Sequence, residues 1–253
     1  MLEYQDVLWL LLRDFMTDSE PNSIAEQVRE VLEGVQTCIR DIDVECNTLD
    51  NDIELGLANV KFEFCERALQ ETGKKLTAET ILAWLIQKKY LAVGWKVERE
   101  FPYPERNGSG RSCDLVFHFS NDRKLWWELK LASKAWFNCN EPPVYKYSGY
   151  LTYLTGRGKK HSLRQDFDKL GLGDWPTRDF RVICLIAFDR PEDPIDGAVA
   201  MVLKQAQDAG MPWEEFATDA WADRRCDEFR IKVWNWVLLP KEPPEDQDVS
   251  TLP

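Results

Sequence analysis

The chain lacks the raw material for several chemistries. It has two histidines in 253 residues, His118 and His161. That argues against a histidine-rich metal centre and leaves any histidine-assisted nucleophile one of these two. Its seven cysteines, at positions 38, 46, 65, 113, 139, 184 and 226, form no CxxC pair. An odd count in mostly apolar surroundings reads as reduced core thiols, not as a disulfide frame or a zinc site. No apolar run approaches the length of about 18 residues that a membrane span requires. The longest near the start, residues 7–12, is ended by Arg13 and Asp14. No leader segment is recognisable either, so the expectation is a soluble, cytoplasmic protein with no membrane partner. There is no internal repeat. What is present is 44% hydrophobic residues, including 11 tryptophans, enough to bury a sizeable core.

The net charge of −12 is unevenly distributed. Residues 1–72 hold 17 acids against 5 bases, and the remaining 181 residues balance. Residues 123–169 hold 10 bases against 4 acids. An acidic N-terminal region therefore precedes a locally basic segment that can supply phosphate contacts.

Apolar spacing divides the chain. Residues 1–73 read as an acidic helical region. Val7, Leu8, Leu11, Leu12 and Phe15 recur at helical spacing, Ile24, Val28, Val31, Leu32 and Val35 form a second face, and a third helix runs over about residues 53–73. Thr77 is placed to cap a helix over residues 78–90. A strand follows over 95–101, ended by Pro102 and Pro104. Residues 113–119 (CDLVFHF) and 125–132 (LWWELKLA) form a hairpin around a polar connection at 120–124. Residues 133–161 read as an aromatic and basic insertion. A short helix over 162–170, stopped by Gly171, comes next. The apolar run 181–188 predicts a strand buried on both faces. Asp196 is placed to cap a helix over about 197–209, and 229–239 reads as a last strand. The resulting expectation is an α/β domain over residues 74–239, with an N-terminal helical extension and a disordered acidic tail at 240–253.

Side-chain alternation along the hairpin puts Asp114, Val116 and His118 on one face and Trp126, Glu128 and Lys130 on one face of the partner strand. Three ionisable groups inside otherwise bulky apolar strands are costly unless paired or bound to a metal. Two carboxylates suit Mg²⁺ or Mn²⁺, and the adjacent lysine supplies a point charge or a proton acceptor of tunable pKa. An E-x-K on a strand is also the mark of a polar face with a cross-strand salt bridge.

Asp114, thirteen residues, then Glu128-Leu129-Lys130, on consecutive strands after a helix and a strand, resembles the PD-(D/E)xK superfamily of restriction-endonuclease-like nucleases. The resemblance covers about residues 77–190 and extends toward 239. It implies a core of helix, three strands, helix and strand. It implies a Mg²⁺ (or Mn²⁺) held by Asp114, Glu128 and the Leu129 carbonyl, with Lys130 orienting the attacking water. It implies a further glutamate on the first helix, matched by Glu79, with Glu66 and Glu98 as alternatives. A polar residue on the following helix is matched by Gln165. Cys113 stands where the family has proline. The implied activity is phosphodiester hydrolysis in nucleic acid, DNA by family habit. The alternative is a catalytically inactive, nuclease-like interaction or nucleic-acid-binding accessory protein.

Residues 157–164 (RGKKHSLR) place Arg157, Lys159, Lys160, His161 and Arg164 just ahead of a helix. Interleaved with upstream aromatics, they are candidates for nucleic-acid contact, and a solvated loop is the plain alternative. The lone His118 is expected to pack or support the Asp114 face. The acidic helices are expected to be a solvated surface, or to dock a protein partner or self-associate.

Overall fold

A computed structural model describes residues 24–46, 57, 60–104, 112–119, 122–134, 150–156, 162–172, 175–176, 178–222 and 229–238. In chain order its elements are α1 (Ile24–Glu45), α2 (Val60–Thr72), α3 (Ala78–Ala92), β1 (Val97–Pro102), β2 (Ser112–His118), β3 (Lys124–Ser133), α4 (Tyr150–Thr155), α5 (Leu163–Leu172), β4 (Phe180–Asp189), α6 (Asp196–Asp208), β5 (Glu214–Ala222) and β6 (Arg230–Leu238). The six strands form one mixed sheet in the order β1-β2-β3-β4-β6-β5, parallel only between β3 and β4. The α/β expectation holds at this level. Residues 7–15, 53–56 and 240–253, for which helices and a tail are expected, lie outside the described residues.

The parallel β3–β4 pair requires a crossover, and α4 and α5 supply it. Together with α6 they cover one sheet face, where Trp126, Ile183, Leu185, Trp234 and Trp236 meet Leu163, Phe167, Leu170 and Val199. The other face carries Leu115, Phe117, Trp127, Leu129, Val182 and Val233, under Ile81, Leu82 and Ile86 of α3. All ten residues of β4 are buried, as a strand with helices on both sides must be.

Helix α3 begins where Thr77 accepts from the Thr80 N–H and Thr80 answers on the Thr77 N–H, a reciprocal capping box. Its apolar residues point to every side because it is wedged between the sheet and the N-terminal helices. The Tyr90 hydroxyl donates to the Val31 carbonyl at 2.7 Å, crossing from α3 to α1. Gly34 permits this approach: a Cβ there would lie 2.5 Å from the Tyr90 oxygen. Val31, Leu32, Val35, Ile39 and Ile42 of α1 are fully buried in the same core as the sheet. The apolar stripe of α1 is thus consumed within the chain, together with the buried Asp43.

Three local expectations change. Helix α5 runs through Gly171 to Leu172; the glycine is needed because the Met211 side chain crosses where a Cβ would stand. Asp196 does not cap α6, whose first turn has no side-chain cap; its carboxylate accepts from Arg230 and Lys232 on β6. The sequence between 209 and 229 contains the unexpected edge strand β5. Among the described residues, no helix is long and apolar enough to cross a membrane, and Cys38, Cys46, Cys65, Cys113 and Cys184 are free thiols.

Candidate active site

The β2–β3 ladder runs from His118↔Lys124 to Leu115↔Trp127 and then stops. The next rung would set Asp114 against Glu128. Instead Asp114 Oδ2 accepts the Leu129 N–H at 2.8 Å. The β1–β2 ladder also skips a rung here, and Glu100, opposite Asp114, adopts a left-handed φ of 52°. Strand β2 therefore parts from β3 at Asp114. In an extended strand a residue's N–H and C=O face the same neighbour. The Leu129 carbonyl accordingly faces the gap that Asp114 borders.

Three further elements close on this gap. Glu79, in the first turn of α3, accepts the Leu131 N–H at 3.1 Å and the Tyr153 hydroxyl of α4. From α5, Lys169 Nζ donates to Glu128 Oε1 at 2.9 Å and lies 3.1 Å from Asp166 Oδ1. Lys130 Nζ lies 3.3 Å from Asp166 Oδ2. That oxygen is buried and has no hydrogen-bond partner. Glu128, Lys130 and Asp166 are 3%, 8% and 5% exposed, so their charges interact with little screening.

The electrostatics follow from burial and sign. Burial pushes the Asp114 carboxyl up to about 6, against the opposing pull of the Leu129 N–H and Lys130. Burial pushes Glu128 up to about 7, with Lys169 opposing and Asp166 adding to the rise. Burial disfavours the Lys130 ammonium, yet Asp166, Glu79 and Glu128 outweigh it and hold this lysine above its ordinary range. Lys169 is raised in the same way by Glu128 and Asp166. Both lysines are therefore ammonium ions at neutral pH. Of the two roles expected for Lys130, its surroundings favour the positive point charge over the proton acceptor.

Four carboxylates (Glu79, Asp114, Glu128, Asp166) face two ammonium groups, a formal excess of two negative charges. Among the described residues no three His, Cys, Asp or Glu side chains form a ready-made metal cage. The donor set nevertheless fits a hard divalent cation, which takes one or two protein carboxylates and completes its shell with carbonyl and water oxygens. Asp114, Glu128 and the Leu129 carbonyl could hold it, and the orphan Asp166 oxygen could accept from a coordinated water.

Of the residues singled out in the sequence, Asp114, Glu128, Lys130 and Glu79 come together here. Gln165 does not: it is exposed, and its amide oxygen accepts from the Ser162 N–H at 3.4 Å. Asp166 and Lys169 occupy the inward face of the helix instead. A signal for Asp166 was present, since it stands at an apolar-face position of the pattern Leu163, Phe167, Leu170. Glu66 is exposed on α2, and Glu98 sits 2.9 Å from His118 Nε2. Arg164 pairs along its own helix with Asp168 at 3.0 Å. Arg157, Lys159, Lys160 and His161 lie outside the described residues. Comparison of the chain with protein-family models, with curated proteins and with solved structures finds no match to any of them.

Proposed function

We propose that this protein is a Mg²⁺- or Mn²⁺-dependent nuclease that hydrolyses phosphodiester bonds in DNA, built on a restriction-endonuclease-like core of α3, β1, β2, β3, α5 and β4. The observation that carries the reading is the meeting of Asp114, Glu128, Lys130 and Glu79 where β2 leaves β3, with carboxyl groups outnumbering ammonium groups.

Asp114, Glu128 and the Leu129 carbonyl would hold the cation. When bound, such an ion polarises a phosphoryl oxygen and lowers the pKa of a water. The chain's own groups do the rest. Lys130, locked as an ammonium beside Asp166, offsets the negative charge that develops on the phosphoryl oxygens. Lys169 keeps Glu128 oriented and favours its ionised form. Glu79, held by the Leu131 N–H and the Tyr153 hydroxyl, is an anchored acceptor that orders water at the same gap. The preference for DNA over RNA rests on the resemblance alone.

The test is cleavage of plasmid and oligonucleotide DNA with Mg²⁺ or Mn²⁺. Lys130→Ala and Asp114→Ala abolish metal-dependent cleavage while circular dichroism and Tm show a folded chain. Cleavage by the variants at the wild-type rate would refute the assignment.

One observation favours a second reading. Glu128–Lys169 and Lys130–Asp166 already satisfy each other in part, as in a nuclease-like protein that binds partners without catalysis. That protein gains no thermal stability from Mg²⁺ or Mn²⁺, whereas a working site gains it by mass action.

A further inference from the structure

Beyond the catalytic gap, the hairpin end of the same sheet carries a second polar feature. A cavity of about 460 Å³ is lined by Lys96, His118, Phe119, Asp122, Arg123 and Lys124. The polypeptide builds it locally: the His118 N–H donates to the Lys96 carbonyl, and the Phe119 N–H donates to the Arg123 carbonyl, at 3.0 and 2.9 Å. Asp122 makes the turn with a left-handed φ of 60°. Three cations line the cavity against one carboxylate. Among the described residues neither the Lys96 nor the Lys124 ammonium is paired with a carboxylate; the Lys124 backbone N–H donates to the Asp179 carboxylate at 3.1 Å.

Lys124 is instead held by aromatic rings. Its Nζ lies 4.8 Å from the Phe101 ring centre and 5.5 Å from that of Trp126. This cation–π contact fixes the ammonium in place and leaves its N–H donors for an incoming acceptor. Phe101 is only half-buried and meets His118 edge-on at 5.7 Å. Positive charge beside a partly exposed aromatic surface is the chemistry that holds a phosphate with a base next to it.

The position relative to the catalytic gap matters. Lys124 and Glu128 stand on one face of β3, and His118 and Asp114 on the same face of β2. Four residues of strand separate each pair, about 13 Å at about 3.3 Å per residue. Adjacent phosphates on one strand of B-form DNA lie about 7 Å apart through space, because the strand winds around the axis as it rises, so about 13 Å spans about two nucleotides.

We propose that the Lys96–Arg123–Lys124 cavity seats a backbone phosphate of a bound polynucleotide, about two nucleotides from the phosphate at the catalytic gap. The spacing rests on the nuclease reading, while the binding itself does not.

The experiment measures anisotropy of a fluorescein-labelled duplex oligodeoxynucleotide with the full chain, in EDTA so that nothing is cut, across a salt series. The variant Lys96→Gln/Arg123→Gln/Lys124→Gln weakens binding about tenfold at low salt and lowers the slope of log K against log salt by about one. A control that removes the same charge from exposed lysines elsewhere, Lys61→Gln/Lys75→Gln/Lys204→Gln, retains the wild-type slope. Lys96→Gln alone gives the same direction should the triple variant fail to fold. Equal slopes for wild type and cavity variant overturn the proposal, even where cleavage assays succeed. Absent cleavage with a cavity-dependent slope overturns only the nuclease reading. Complete displacement of the duplex by inorganic tripolyphosphate at equal phosphate concentration would reassign the cavity to free polyphosphate and overturn the polynucleotide assignment.

Discussion

Glu128→Gln is expected to stabilise the metal-free protein while removing its response to metal. Glu128 is 3% exposed, and burial lifts its carboxyl from an ordinary 4.5 to about 7 even with Lys169 attached. The folded chain therefore holds this proton to higher pH than the unfolded chain does. Its contribution to stability is complete below about pH 4.5 and is lost as pH rises to about 7. At about 1.4 kcal/mol per pKa unit, the ionised carboxylate costs about 3 kcal/mol at pH 8. Glutamine keeps the shape and an acceptor for Lys169 but never ionises. Urea denaturation in EDTA at pH 8 should thus show Glu128→Gln more stable than wild type, by as much as about 3 kcal/mol. At about pH 4 the two should converge, because Glu128 is then protonated in the folded chain and largely so in the unfolded one. With Mn²⁺ at about 100 times its Kd, wild type gains about 2.7 kcal/mol, and the variant gains nothing. A variant less stable than wild type at pH 8, or one that keeps the Mn²⁺ gain, would refute the assignment of Glu128 as a strained, cation-seeking carboxylate.

Other outcomes follow from the same geometry. Asp43 is buried and accepts the Leu57 N–H at 2.6 Å and the Trp221 indole N–H at 3.0 Å. Asp43→Ala leaves two donors unpaired and should lower stability by about 2–5 kcal/mol in urea denaturation. Tyr153→Phe takes one donor from Glu79; a stability loss of about 1 kcal/mol and about tenfold slower cleavage are expected, and an unchanged rate would remove this pair from the catalytic machinery. Deleting residues 1–72 strips Val31, Leu32, Val35, Ile39 and Ile42 from the core. At about 1.5–3 kcal/mol each, their loss rivals a typical domain's whole stability of about 5–15 kcal/mol. The truncated chain should show no cooperative thermal transition, and a sharp one would show that the remainder folds alone.

Much of this molecule is written in nearest-neighbour patterns. Thr77 and the apolar positions behind it specify α3, the CDLVFHF and LWWELKLA segments specify paired strands, and the ten-residue apolar run of β4 announces a strand covered on both faces. These signals survive because cap geometry, turn chemistry and side-chain alternation act over a few residues. The acid pair and the lysine were legible for the same reason, since alternation puts Glu128 and Lys130 on one face of β3 and Asp114 on one face of β2, and the short connection pairs the two strands. Segments governed by distant partners were not legible. Strand β5 (EEFATDAWA) has no apolar period because it sits at the sheet edge, and pairing with β6 decides it. Asp196 has the look of a cap, but Arg230 and Lys232, more than thirty residues on, claim its carboxylate.

The chain's own order of residues determined that two carboxylates and one ammonium would share a sheet face. Only the packing of α5 onto that sheet decided that Asp166 and Lys169 would join them. Alternation is a property of one strand, whereas the ionisation of a buried group depends on every charge that distant parts of the chain bring within a few ångströms of it.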